Sequence, residues 1–429
     1  MRRLAVFASA IGLGLSAGGA AWSGADSTAA PSAATSDAAR ASLLGVVFPE
    51  PHRSTLNVLA RFDPLTLDPV SLRVEIYEYH GAWSLSPDRR RLALGISSGV
   101  STLSPPRPIR ARVGIIIVDL ETMKIVEEVV TGGFAAALAW LAPRRLVASA
   151  GGGGVVVDPA TGKIVRRGLG LRPPFATVRS VNRVVMLSRG PRRQAENQRG
   201  RGSATVHLSV IGASGRRRTV ALDRIRLASR ADGRWDKAGI AVDPAAERAY
   251  VVAADAPVAE VDLRTMRTSY HRLDLPRGLQ DPRVRPQGLV QRSRTATWLG
   301  QGRLLFSGGD LFARPGRSER LVPAGATLVS TASWQARTID AKAWGARFAA
   351  GRLLAYGRTG LRGYTLDGRL AFHLLKSRPI RDVQVAAGLA YVRTPSAGRV
   401  VDVARGKLVG NIVPPRDLID VIRPGPETT

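Results

Sequence analysis

The sequence contains no cysteine. That absence excludes disulfide staples, thiolate metal sites and a cysteine nucleophile, but it leaves the compartment open, because a large β array needs no staples. Aromatic residues make up 5% of the chain, so a core must be built from Val, Leu, Ile and Ala. Lysine is nearly missing: only six of the 63 basic residues are lysine, which leaves 57 arginines. The five histidines, His52, His80, His207, His271 and His373, stand apart, and none has a histidine two or four residues away. A histidine metal cluster is not expected from that spacing. No G-x-S-x-G elbow, P-loop or dinucleotide fingerprint occurs in a strand–helix context. The glycine run Gly151-Gly152-Gly153-Gly154 joins two strand-like segments with no following helix or lysine and reads as a turn.

Long apolar runs are absent beyond the first twenty residues. There, Arg2 and Arg3 precede an apolar stretch over 4–20, and the small residues Ser23, Gly24 and Ala25 follow. This pattern reads as a secretory signal peptide, with Ser23-x-Ala25 or Gly18-x-Ala20 as cleavage sites. The alternative is an uncleaved anchor, since the run is only just long enough to span a bilayer. The expected organisation is a signal peptide over 1–25, a flexible tether over 26–54, one domain over 55–413 and a tail over 414–429. The expected location is secreted or attached to the cell envelope.

What the chain has in abundance is repetition. Val118-Asp119-Leu120-Glu121-Thr122-Met123-Lys124-Ile125-Val126 returns as Val157-Asp158-Pro159-Ala160-Thr161-Gly162-Lys163-Ile164-Val165. Weaker copies begin at Val261-Asp262 and Val401-Asp402. Each copy is a strand, a short turn and a second strand, and a period of roughly 40–50 residues marks a stacked or radial array. Asp119, Asp158, Asp262 and Asp402 stand where the turn begins. A carboxylate there accepts the backbone N–H two residues on, so these acids are read as turn-forming groups, not catalytic ones.

Most of the chain divides into units of four short strands, a to d, rich in Val, Ile, Leu and Tyr and bounded by Gly, Asp and Pro. Seven units follow one another from residue 82 to residue 412. The segment 55–70, with Leu59-Ala60-Arg61-Phe62-Asp63-Pro64, also has the look of a c–d pair, and it either closes the ring or belongs to an eighth unit. Pairing the two ends of the chain in one sheet would remove an exposed edge. The pattern resembles the YVTN and quinoprotein-like β-propeller families. Ala249-Tyr250-Val251-Val252 and Ala390-Tyr391-Val392-Arg393-Thr394 are similar to their Tyr-Val-Thr-Asn strand, and Ser86-Pro87-Asp88 resembles the S-P-D-G turn of WD-type propellers, with Arg89 in the place of Gly. The resemblance implies an all-β, seven-bladed propeller of four-stranded antiparallel blades, with eight blades as the alternative. It implies no particular activity, since propellers host many.

In such a blade the a–b and c–d turns leave one side of the disc, and the b–c and d–a connections leave the other. The long connections, 97–113, 189–203, 223–238, 274–294 and 308–326, all fall on the second side. Long loops on a rigid scaffold are where binding sites usually lie. Three of them are basic and carry Arg107, Arg110 and Arg112; Arg192, Arg193, Arg199 and Arg201; and Arg277, Arg283, Arg285, Arg292 and Arg294. Two readings of the net charge of +30 compete. One is a polyanionic or acidic partner held by arginine forks. The other is codon bias, supported by arginine doublets on the opposite face, Arg89-Arg90-Arg91 and Arg144-Arg145.

Acids on the loop side, Asp232, Asp236, Asp274, Asp281 and Asp310, are placed to ligate a cation or act as a base. None matches the motif residues of lactonase-like or quinone-dependent propellers. Trp235, Trp298, Trp334 and Trp344 are placed either to stack a ligand or to pack blades, and packing is the commoner use. The expectation is an exported, monomeric, non-enzymatic propeller that binds a protein or an anionic envelope polymer, with no catalytic residue, cofactor or metal and no nucleic-acid motif. The alternative is an exported hydrolase or a quinone- or metal-dependent oxidoreductase.

Overall fold

The computed structural model of the chain describes residues 42–48, 56–77, 79–96, 113–150, 153–169, 174–180, 183–190, 203–228, 234–276, 289–313, 320–395, 397–412 and 417–421. Strand Arg91–Ile96 is buried along nearly its whole length. Its alternation is hidden because both faces are covered: Leu92, Leu94 and Ile96 pack into one apolar cluster and Ala93 into another. Arg352–Gly357 behaves alike, with Leu354 and Tyr356 on one side and Leu353 and Ala355 on the other. A sheet sandwiched between two others is the arrangement that radial blades impose.

Among the described residues the strands form eight sheets, seven of four strands and one of five. Blade 1 is Tyr79–Leu85, Arg91–Ile96, Val113–Asp119 and Lys124–Val130. Blade 2 is Ala137–Ala142, Arg145–Ser149, Val155–Asp158 and Lys163–Arg167. Blade 3 is Pro174–Ser180, Arg183–Arg189, Ser203–Gly212 and Arg217–Ala228. Blade 4 is Gly239–Asp243, Arg248–Val252, Val258–Asp262 and Thr268–His271. Blade 5 is Leu289–Gly300, Arg303–Ala313, Arg320–Ser330 and Ala336–Asp340. Blade 6 is Ala343–Ala349, Arg352–Gly357, Gly360–Tyr364 and Leu370–Leu374. Blade 7 is Asp382–Ala386, Leu389–Arg393, Gly398–Asp402 and Lys407–Ile412. Each is given in the order a to d, and every neighbouring pair within these four is antiparallel.

The eighth sheet corrects the expectation of seven blades and matches the alternative. Its strand a is Asp417–Val421, from the C-terminal region, and b to d are Leu43–Phe48, Leu56–Phe62 and Val74–Tyr77. The propeller therefore reaches beyond 55–413 on both sides, into segments read as tether and tail. No contiguous repeat announces this blade, because its inner strand comes from the other end of the chain. Eight apolar clusters fill the eight seams between consecutive blades, including those on both sides of blade 8. Burying a Leu, Val or Ile there contributes about 1.5–3 kcal/mol each, which no blade obtains alone.

The repeated turn has the chemistry its spacing implies. The Asp119 Oδ1 accepts the N–H groups of Glu121 at 3.1 Å and Thr122 at 2.8 Å. Asp262 does the same for Arg264 and Thr265, each at 2.8 Å. Asp158 accepts from Ala160 at 3.0 Å and Asp402 from Arg405 at 3.0 Å. In blade 8, Asp63 accepts from Leu65 at 2.8 Å and Thr66 at 2.9 Å, so the motif occurs there as well. These bonds to the ionised form hold the Asp119 and Asp262 carboxyls below the usual range, the backbone N–H of Thr122 and of Thr265 acting most strongly.

Candidate functional site

Blades 3 and 5 carry strands that run on towards the side of the long connections. Strand c of blade 3 and its partner d run on to pair Ser203 with Ala228, and strands a, b and c of blade 5 run 11 to 12 residues each. Segments read as loop over 223–238, 274–294 and 308–326 are thus partly strand. Opposite charges sit directly across the ladder there, with Arg292 facing Asp310, and such cross-strand pairs favour pairing.

A fifth strand completes the blade 5 extension. Arg234–Lys237 precedes blade 4 in the chain, yet it pairs in parallel with Val290–Ser293 of blade 5. Inner strands of neighbouring blades run in the same direction, so their upper ends zip together when they come close enough. Gly239 permits that approach: a Cβ there would lie 2.5 Å from the Thr295 Cα.

Asp236 lies at the centre of this junction, 1% exposed. Its Oδ1 accepts from the Arg292 Nε at 2.8 Å and its Oδ2 from the Arg292 Nη2 at 2.7 Å. The Oδ2 also accepts the Ala228 N–H at 3.1 Å. Its carbonyl oxygen accepts from the Arg189 Nη2 at 2.8 Å. Arg292 Nη1 donates onward to Asp255. The fork on Asp236 keeps the Arg292 guanidinium protonated well beyond its ordinary range. Next along the strand, burial pulls the Lys237 ammonium below its usual pKa, and the charge of Arg189 adds to that. A second pair lies one turn of the pleat away, where the Arg294 Nη1 donates to the Asp310 Oδ1 at 2.7 Å, with Asp310 1% exposed.

Of the twelve candidate arginines, Arg107, Arg110, Arg112, Arg192, Arg193, Arg199, Arg201, Arg277, Arg283 and Arg285 lie outside the described residues. Arg292 and Arg294 are described, and both point inward onto the carboxylates just named. The acids Asp236 and Asp310 therefore face guanidinium groups. Asp232 and Asp281 lie outside the described residues, and Asp274 is exposed. Among the described residues no three His, Asp or Glu side chains converge. Trp298 stacks on Tyr250 at 5.7 Å, Trp334 stacks on His271 at 3.5 Å, and the Trp344 Nε1 donates to the Ile380 carbonyl at 2.8 Å. These three pack seams; the Trp235 side chain lies outside the described residues. Gly153 and Gly154 both donate to the Ala150 carbonyl, closing a b–c turn.

Sequence reasoning missed a further use of arginine. Arg217 donates to the Leu169 carbonyl at 3.0 Å across the seam between blades 2 and 3. Arg218 donates to the Leu263 and Arg264 carbonyls, each at 2.6 Å, between blades 3 and 4. Between blades 5 and 6, Arg337 donates to the Asp367 carbonyl at 2.8 Å and Arg362 to Asp340 at 2.9 Å. Arg347 donates to the Val383 carbonyl at 3.1 Å between blades 6 and 7. A long planar donor suits this task, since blade edges present carbonyls at a distance. These five arginines thus hold blades together, a role no sequence motif marks.

No protein-family model matches the chain, and no curated protein does. Several solved structures are similar in shape. One is a eukaryotic initiation factor, at 10% identity over 86% of this chain and 84% of that one, TM-score 0.50. Another is BamB from Moraxella catarrhalis, at 10% identity over 81% and 90%, TM-score 0.48. A third is a quinoprotein alcohol dehydrogenase-like protein from Bacteroides thetaiotaomicron, at 10% identity over 90% and 77%, TM-score 0.40. The chain is an eight-bladed β-propeller. At these identities the likeness speaks to fold alone.

Proposed function

We propose that this propeller is an exported, monomeric, non-enzymatic binding protein of the YVTN-like type, and that its long-loop face engages an anionic polymer or an acidic protein surface. The observation that supports this reading is that the strands flanking the five long connections meet them on one side of each antiparallel blade, and that three of the flanking strands are joined at Asp236. The contact residues are the loop arginines Arg107, Arg110, Arg112, Arg192, Arg193, Arg199, Arg201, Arg277, Arg283 and Arg285, whose forks pair with carboxylate or phosphate groups. Arg292 and Arg294 support the platform from within. Export rests on Arg2-Arg3 and the apolar run that follows, and N-terminal sequencing of the mature protein tests it.

Replacing Arg192, Arg193, Arg199 and Arg201 together with Gln tests the binding reading against sodium polyphosphate. Affinity should fall, and the plot of log K against log salt should flatten as fewer counterions are released on binding. Unchanged affinity and slope would reject this face as the anion site.

A further inference from the structure

We infer that Asp236 is a positioning residue for the long-loop face, one buried residue that fixes the stems of three connections relative to one another. This rests on the binding reading above. Arg189 ends strand b of blade 3 and leads into the connection over 190–202. Ala228 ends strand d of blade 3, and strand Arg234–Lys237 resumes the chain after 229–233. Arg292 stands near the start of strand a of blade 5, after the connection that ends at 288. Asp236 binds all three stems at once: its carboxylate takes the Arg292 fork and the Ala228 N–H, and its carbonyl takes Arg189. Seven arginines, Arg192, Arg193, Arg199, Arg201, Arg277, Arg283 and Arg285, belong to two of those connections.

Cohesion of the ring does not call for this pair. The seam between blades 4 and 5 is already filled by Tyr250, Val252, Val258, Trp298, Leu304 and Phe306. A buried ion pair adds little stability over well-packed apolar residues, so the role inferred for this one is the geometry it imposes on the stems. Arg292 and Asp236 form a bidentate fork, the most directional pairing available to side chains. Directional pairing at the base of three loops sets how many of their arginines a single extended polyanion meets together, and simultaneous engagement is what multiplies weak contacts into affinity.

The test compares Asp236→Asn with Asp255→Asn and Arg292→Lys in the full chain, with sodium polyphosphate as the probe. The first two variants each remove one negative charge near the same arginine. Electrostatics alone therefore strengthens polyphosphate binding in both. Positioning separates the two: Asp255→Asn binds as wild type or tighter, while Asp236→Asn binds about tenfold more weakly. Arg292→Lys keeps its charge but loses the fork, so it also weakens binding, and it carries the test if Asp236→Asn does not fold. Equal or tighter binding by Asp236→Asn or Arg292→Lys overturns the inference. Amide hydrogen exchange gives a readout that needs no ligand. Loss of the fork should raise exchange at 183–190, 226–228 and 289–294 together, and a rise at one stem or none overturns the inference. If wild type fails to bind polyphosphate, the binding reading falls while exchange still judges the coupling.

Discussion

In each of the five c–d turns that open with Asp, one residue sits in the left-handed backbone region: Met123 (φ 50°), Gly162 (63°), Met266 (60°), Gly406 (62°) and, in blade 8, Leu67 (59°). Glycine adopts that conformation without strain, whereas an L side chain pays roughly 1–2 kcal/mol for it. Met123 and Leu67 offset the cost because their side chains are buried in seam clusters. Gly406 has no such freedom, since a Cβ there would lie 2.5 Å from the Phe372 ring. Arg89, in the Ser86-Pro87-Asp88 turn, also has a φ of 59°, but it is exposed and outside the seam clusters. The turn itself is well made, with the Ser86 Oγ donating to Asp88 at 2.6 Å and the Asp88 Oδ1 accepting from Arg90 at 3.1 Å. Arg89→Gly should therefore stabilise the protein by up to about 1 kcal/mol, the strain relieved minus the extra chain entropy glycine loses. A lower denaturation midpoint for Arg89→Gly would contradict this account.

Among elements, the extension of blade 5 is held by a buried ion pair between strands a and b. The Arg294 side chain is 10% exposed and that of Asp310 is 1% exposed. Gly308 makes room for the pair: a Cβ there would lie 2.1 Å from the Ser293 carbonyl oxygen and 3.0 Å from the Arg294 Cδ. Arg294→Met alone takes the guanidinium away from the buried Asp310 carboxylate and should cost about 3–5 kcal/mol. The double variant Arg294→Met, Asp310→Leu should recover most of that loss, because two apolar groups replace a paired charge at little net cost. Urea unfolding of wild type, single and double variants checks both values. The alternation that predicts strands stops being informative in this region, where charged residues are buried and segments read as loops continue the sheet.

For the whole molecule, closure depends on Asp417–Val421 joining Leu43–Phe48 in antiparallel pairing, with Gly45 opposite Val421 and Phe48 opposite Asp417. Without that strand blade 8 keeps only b, c and d, and its inner edge is left open towards the axis. A chain ending at Ile412 should unfold at lower temperature with reduced cooperativity and bind a hydrophobic dye. A melting curve superimposable on wild type would show that the other seams suffice. The clusters that flank blade 8 contain Leu44, Val46 and Leu59 on one side and Val58, Ala60 and Phe62 on the other. Strands from the two ends of the chain thus share a core with blades 1 and 7.

The local code was legible in the residues. Runs of four to eight residues rich in Val, Ile, Leu and Tyr, bounded by Asp, Gly and Pro, marked the strands of seven blades, and Asp119, Asp158, Asp262 and Asp402 marked the hydrogen bonds of their turns, because strand and turn are decided by residues close along the chain. The eighth blade and the Asp236 junction were decided only in three dimensions. A six-residue strand such as Leu43–Phe48 has no recognisable partner until Asp417–Val421 arrives beside it, and Asp236 reads as one of several loop acids until Arg189, Ala228 and Arg292 converge on it. Contacts between residues far apart in sequence leave no periodic trace, so their pairing becomes visible only when the ring has closed around them.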